Sequence, residues 1–146
     1  MSSELKIIYS GLTDTGVVRD ENQDSMGIFP SEDNPVEMQR GKMFIVADGM
    51  GGHKDGKKAS QTAIDLIQQV YYQLPEEGIS ERLQFAFENA NFHLYQLTNG
   101  NMQFQKMGTT SSLLLLNQKK AYIAHVGDSR IYRIHEGFRS ETLIIW

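Results

Sequence analysis

Ten residues, Phe44-Ile45-Val46-Ala47-Asp48-Gly49-Met50-Gly51-Gly52-His53, restrict the fold more than any other stretch of the chain. An apolar run of strand length stops on a carboxylate, and the glycines that follow let the backbone turn sharply and approach whatever the carboxylate holds. A strand-terminal carboxylate beside side-chain-free backbone can offer a side-chain oxygen and a main-chain carbonyl to a hard cation such as Mg²⁺ or Mn²⁺. Taken alone, the same residues also describe a plain strand followed by a glycine-rich turn, with the Asp capping the next helix.

Upstream, Leu5 to Tyr9 reads as a first short strand leading into the polar turn Thr13-Asp14-Thr15-Gly16. Arg19-Asp20-Glu21-Asn22-Gln23-Asp24 then packs one guanidinium, three carboxylates and two amides into six residues. A solvated polar loop is the simpler account of such a cluster. An EF-hand is excluded, because Ser25 stands where that loop needs glycine and Ser31 where it needs a bidentate Glu. From Pro30 to Gly41 there is no apolar period, so a surface loop is expected.

Beyond the strand Lys42 to Ala47, which is expected to end at Asp48, Asp55 is placed to cap a helix from about Lys57 to Leu74. Ala59, Ala63, Ile67, Val70 and Leu74 form its stripe. Ser80 is placed to cap a second helix reaching about Asn99, with Leu83, Ala86, Phe87, Ala90, Leu94 and Leu97 inward and Gly100 closing it. The two read as a helical hairpin over a sheet. Ser111 to Leu116, Ala121 to Val126 and Ile131 to Ile134 then read as a three-stranded antiparallel meander. The unbroken Leu113-Leu114-Leu115-Leu116 suggests a strand covered on both faces. Asp128 follows Gly127 at another strand end, where a turn Asp bonding its own backbone is the simpler reading. His93, His125 and His135 read as structural, and His53 as lining the glycine loop.

Composition removes several classes of function. A chain of 146 residues, 40% hydrophobic, is long enough to bury one core. Net charge of −4 and a pI near 5.5, with no basic run longer than a Lys pair, argue against nucleic acid and against an electrostatic membrane anchor. The absence of cysteine excludes a disulfide framework and thiolate metal sites, leaving oxygen and imidazole as ligands. With no signal-like start and no apolar run of membrane-spanning length, the expectation is a soluble, cytoplasmic protein.

Taken together, Arg19-Asp20-Glu21-Asn22-Gln23-Asp24, Val46-Ala47-Asp48-Gly49-Met50-Gly51-Gly52, Gly108-Thr109-Thr110 and Val126-Gly127-Asp128-Ser129-Arg130 resemble the successive N-terminal motifs of the metal-dependent protein phosphatases of the PPM type, or type 2C. Asn22 and Met50 are similar to bacterial members, eukaryotic relatives tending to have Glu at Gln23, and Met50 leaves no histidine there to act as a general acid. The resemblance implies an α+β fold in which two packed antiparallel β-sheets form a sandwich flanked by helices, in four layers. It also implies two Mn²⁺ or Mg²⁺ ions sharing Asp48, one taking the Gly49 carbonyl, with a bridging water that attacks phosphorus in line. Arg19 would fork onto two phosphate oxygens. Asp24 would hold a metal-coordinated water, and Asp128 would serve an additional, weaker metal site.

The implied substrates are proteins phosphorylated on Ser or Thr, in a system with counterpart Ser/Thr kinases. Members of the family continue past the meander to further aspartates that complete the two-metal site. Residues 1–146 are therefore expected to be the N-terminal portion of a single phosphatase domain, with weakened metal affinity and unpaired sheet edges. Two other functions fit that expectation. One is a non-catalytic module binding a phosphoprotein or a partner chain at an exposed sheet edge, and the other is a phosphatase completed by a separate chain.

Overall fold

A computed structural model describes residues 6–31, 34–52, 54–75, 78–100, 107–135 and 138–141. His53, considered above, and residues 76–77 and 142–146 lie outside them. The elements are β1 (Asp24–Phe29), α1 (Pro35–Met38), β2 (Lys42–Met50), α2 (Lys54–Gln73), α3 (Ile79–Gly100), β3 (Gly108–Thr109), β4 (Ser111–Asn117), β5 (Lys120–Val126), β6 (Tyr132–His135) and β7 (Phe138–Glu141). An antiparallel sheet of order β1-β2-β4-β5, with β3 also paired to β2, carries the α2–α3 hairpin on one face. The α+β class is thus as expected.

Side-chain alternation explains which face the helices cover. Met43, Ile45 and Ala47 of β2 and Leu113 and Leu115 of β4 are buried against Ile64, Ile67 and Tyr71 of α2 and Leu83, Ala86 and Ala90 of α3. The expected stripe of α3 packs throughout; on α2, Ala59, Ala63, Ile67 and Val70 pack as expected, Leu74 joins neither cluster, and Ile64, Tyr71 and Tyr72, outside the expected stripe, are buried beside them. Leu114 and Leu116 are only partly buried, and Met26, Ile28 and Val46 are exposed on the opposite face. Among the described residues the leucine run is thus covered fully on one side, and its alternation appears in burial where sequence hides it.

Several expected boundaries shift. Residues 6–9 form no ladder; Tyr9 instead sets its ring edge-on to Phe44, 5.1 Å between centroids, so its apolar character serves side-chain packing. The loop from Pro30 to Gly41 contains α1, where Pro35 opens the helix and the Asn34 side chain accepts from the Glu37 N–H at 3.2 Å. Helix α2 begins at Lys54, which puts Asp55 in the first turn rather than at the cap, and α3 begins at Ile79, one residue before Ser80. The meander fails at its third strand: β6 leaves the sheet and pairs with the next strand, β7, His135 opposite Phe138, so it finds its partner in a local hairpin instead of in β5.

Buried hydroxyls tie the helices to the loop before β2. Tyr72 Oη lies 2.9 Å from the Gly41 carbonyl oxygen and 3.1 Å from that of Phe29, with its one proton shared between them, and Tyr71 donates to the Arg40 carbonyl at 2.8 Å. Burial, the largest cause, pushes the Tyr72 hydroxyl well above the ordinary tyrosine range, so it stays a donor at every physiological pH. Tyr72→Phe removes the one proton that these two carbonyls share and is expected to cost about 1–2 kcal/mol, lowering the thermal midpoint by several degrees in a calorimetric scan.

Candidate functional site

The β1–β2 register places Asp24 directly opposite Asp48. Two carboxylates from segments far apart in sequence thus meet at one end of the sheet. Strand β2 does not stop at Asp48, because Gly49 and Met50 pair with Thr109 and Gly108 of β3. The Gly49 N–H also donates to the Gln23 carbonyl at 3.2 Å, which holds the end of β2 against the residue before Asp24. Helix α2 secures the same corner: Ser60 Oγ donates to the Gln23 carbonyl at 2.6 Å and lies 2.8 Å from Ser25 Oγ, and Lys57 Nζ donates to the Asp24 carbonyl at 2.7 Å. Asp24 is fixed further by its own N–H, which donates to Asn22 Oδ1 at 3.0 Å.

The backbone of Asp48 is gripped from the other side by the Gly-Thr-Thr segment. Its carbonyl accepts from the Thr110 N–H at 2.9 Å and from Thr109 Oγ1 at 3.0 Å, while its N–H donates to Thr110 Oγ1 at 3.0 Å. Thr110 Oγ1 lies 2.8 Å from Ser129 Oγ, in the turn that carries Asp128. At the start of that turn, His125 Nε2 lies 3.0 Å from the Gly127 carbonyl and Nδ1 lies 2.8 Å from Ser112 Oγ. A carbonyl can only accept, so Nε2 carries a proton and donates to it. His125 is accordingly structural, as expected, and His93 is exposed on α3.

Arg19, Asp48, Gly49 and Asp128 line one open cleft of about 1430 Å³, together with Asp20, Glu21 and Asp55. Asp24 and Asp48 also line a smaller hollow of about 240 Å³, with Thr13 and Ser129. Desolvation first, then the charge of the Asp24 carboxylate and a hydrogen bond to it, raise the Asp48 carboxyl above its ordinary range. Asp128 adds to this, and the Arg19 guanidinium opposes it. The structure therefore brings together Asp24, Asp48, Asp128 and Arg19, the four charged residues singled out by sequence.

Anionic oxygens held this close, with one guanidinium nearby, form a donor set that a hard divalent cation would relieve. Among the described residues, however, no three His, Asp or Glu side chains converge into a set able to enclose an ion. The donors present suit Mn²⁺ or Mg²⁺ and amount to part of a coordination shell. Sequence reasoning assigned no role to Thr110, Ser129, Ser60 or Lys57. Uncharged hydroxyls carry no local signal of what they will touch; Thr110 and Ser129 stand inside two of the motifs, which mark the region but not their contacts.

The model of the family "Protein phosphatase 2C" matches residues 19–142. The serine/threonine phosphatase stp of Listeria monocytogenes is 36% identical over 124 residues, covering 82% of this chain and 47% of the relative. The chain spans about half the length of the curated relatives it matches. Among solved structures, Stp1 from Staphylococcus aureus aligns with a TM-score of 0.74 at 33% identity, over 89% of this chain and 50% of that one. The catalytic domain of the phosphatase PstP, solved in complex with two manganese ions, aligns with a TM-score of 0.71 at 27% identity, over 89% and 52%. The shared architecture is that of the PPM phosphatase domains, and since the family match begins at Arg19 and takes in Asp24, Asp48, the Gly-Thr-Thr segment and Asp128, the chain belongs to the protein phosphatase 2C family.

Proposed function

We propose that this chain supplies the phosphate-binding and much of the metal-binding side of a serine/threonine protein phosphatase, hydrolysing phosphoserine and phosphothreonine. The observation that carries the reading is the pairing of Asp24 with Asp48 across the β1–β2 register, in reach of Arg19 and Asp128. Asp48 and the Gly49 carbonyl would hold Mn²⁺ or Mg²⁺, Asp24 would orient a coordinated water, and Asp128 would serve an additional site. When bound, two such ions acidify a shared water to a nucleophile at neutral pH. Arg19 is exposed at the rim of the cleft, where its planar fork can take two oxygens of a phosphoryl group and orient it for in-line attack.

The same reading makes residues 1–146 the N-terminal portion of one phosphatase domain, acting on phosphoproteins made by a Ser/Thr kinase, in the cytoplasm. The described helices are consistent with it, since none is long and apolar enough to cross a membrane. The exposed Met26, Ile28 and Val46 leave room for a partner chain at the open side of the sheet.

Arg19 provides the direct test. With Mn²⁺ and a phosphothreonine peptide, Arg19→Ala is expected to lower kcat/KM by about 10–100-fold, the loss of one charge-assisted fork, while leaving Mn²⁺ affinity unchanged in calorimetry. Unchanged turnover would remove Arg19 from the phosphate site. Phosphopeptide binding without turnover that survives Asp48→Asn but not Arg19→Ala would instead identify a non-catalytic phosphoprotein-binding module.

A further inference from the structure

We propose that Thr110 is the positioning residue of this site, one hydroxyl that couples the strand carrying Asp48 to the turn carrying Asp128. The inference rests on the metal-binding reading above for its consequence, and on hydrogen-bond geometry for its substance. Thr110 is 1% exposed, so its hydroxyl has no water to satisfy it and must find partners in the protein. It finds two. The Asp48 N–H donates to Oγ1 at 3.0 Å, and Ser129 Oγ lies 2.8 Å from the same atom. A hydroxyl has one proton and two lone pairs, so both bonds can be made at once whichever way the Thr110–Ser129 proton points.

The packing at this point is equally specific. Gly127 has φ +106°, and a Cβ there would lie 2.6 Å from Thr110 Cγ2 and 2.8 Å from its Cβ. The threonine methyl therefore occupies the space that the glycine leaves, seating the turn directly on the Thr110 side chain. His125 holds the Gly127 carbonyl, and Thr110 meets Ser129, so the turn is fastened on either side of Asp128. Because Thr110 also holds both the N–H and the C=O of Asp48, it sets how far apart the two acid-bearing segments stand. Spacing between carboxylates decides whether they can share cations, and outer partners of this kind typically tune metal affinity by about 10–100-fold.

The test compares Thr110→Val, which keeps the shape and loses the hydroxyl, with Thr110→Ser, which does the reverse. In the metal-free chain, amide exchange followed by NMR is expected to be at least about tenfold faster in the valine variant at Asp48 and at residues 127–129, with the α2–α3 amides unmoved. The serine variant should restore protection at Asp48. Ser129→Ala should loosen the turn while leaving the Asp48 amide protected. In a Mn²⁺ titration, the valine variant should lose about 10–100-fold in affinity. Unchanged exchange at Asp48 and the turn, or acceleration spread evenly over every amide, would overturn the coupling. Asp48→Asn keeps the backbone bond to Thr110, so if it binds Mn²⁺ like the parent chain the metal reading fails, while exchange still decides the role of Thr110.

Discussion

Gly49→Ala is expected to remove most of the stability of this fold, at about 3 kcal/mol or more, and to bring the chain close to unfolding at 37 °C. A Cβ at Gly49 would lie 1.9 Å from the Gly56 carbonyl oxygen, 2.5 Å from its carbon and 2.8 Å from the Gln23 carbonyl oxygen. All three are backbone atoms, held by the first turns of α2 and by the approach to β1, so no rotamer change can make room. The cost is purely one of contact, since Gly49 is not among the glycines with positive φ. Gly56 offers the internal control. A Cβ there meets chiefly the Gln23 amide, at 2.4 Å to Oε1, the far end of a side chain and not backbone. A 3.0 Å approach to the Gly49 oxygen remains, and alanine recovers up to about 1 kcal/mol of helix propensity. Gly56→Ala should therefore change stability by about 1 kcal/mol or less. Equal midpoints for the two variants in urea unfolding would refute the argument that β2 and α2 meet backbone to backbone at Gly49.

That crossing also marks how far the sequence could be read. The carboxylate after an apolar run, the glycines that follow and the stripe of α3 are local patterns, and each lands where its period places it, while the α2 stripe lands only in part. What local pattern cannot hold is the identity of a strand's neighbour. Asp24 faces Asp48 because of the register of two strands joined by a loop with its own short helix, and neither carboxylate reports the other in sequence. β2 runs past Asp48 because Gly108 and Thr109 return from far along the chain to pair with it. For the same reason Leu5 to Tyr9, apolar enough for a strand, forms no ladder over its described residues, and β6 pairs away from the meander. The site divides likewise. Charged groups advertise themselves by type, so Arg19, Asp24, Asp48 and Asp128 were legible, and the motifs set them in one family. Thr110 and Ser129 act only through what they touch.

The Asp48→Asn chain separates stability from function most sharply. In the metal-free protein it is expected to melt above the parent at neutral pH, while losing Mn²⁺ affinity by more than the roughly 10–100-fold typical of outer partners. Hydrolysis should fall by at least about 100-fold. The stability gain follows from the sign of the carboxyl shift. Asp48 is exposed, and the partial desolvation of its carboxyl, with the neighbouring Asp24, raises its pKa in the folded state above its ordinary value of 3.8, so folding favours the protonated form. Below that ordinary value both states carry the proton and the two chains should melt alike. As pH rises through the higher folded-state value, the parent loses stability that asparagine, unable to ionise, retains. The difference should therefore open with rising pH and persist at neutrality. Added Mn²⁺ should reverse the order, because binding to the folded state alone raises the midpoint of the parent and not of the variant. A variant that melts below the parent without metal would contradict the electrostatic account. One that rises with Mn²⁺ as the parent does would show that Asp48 does not hold the ion. Both expectations have one physical source: a carboxylate kept beside others at a cost to the empty fold is what a cation can exploit on binding.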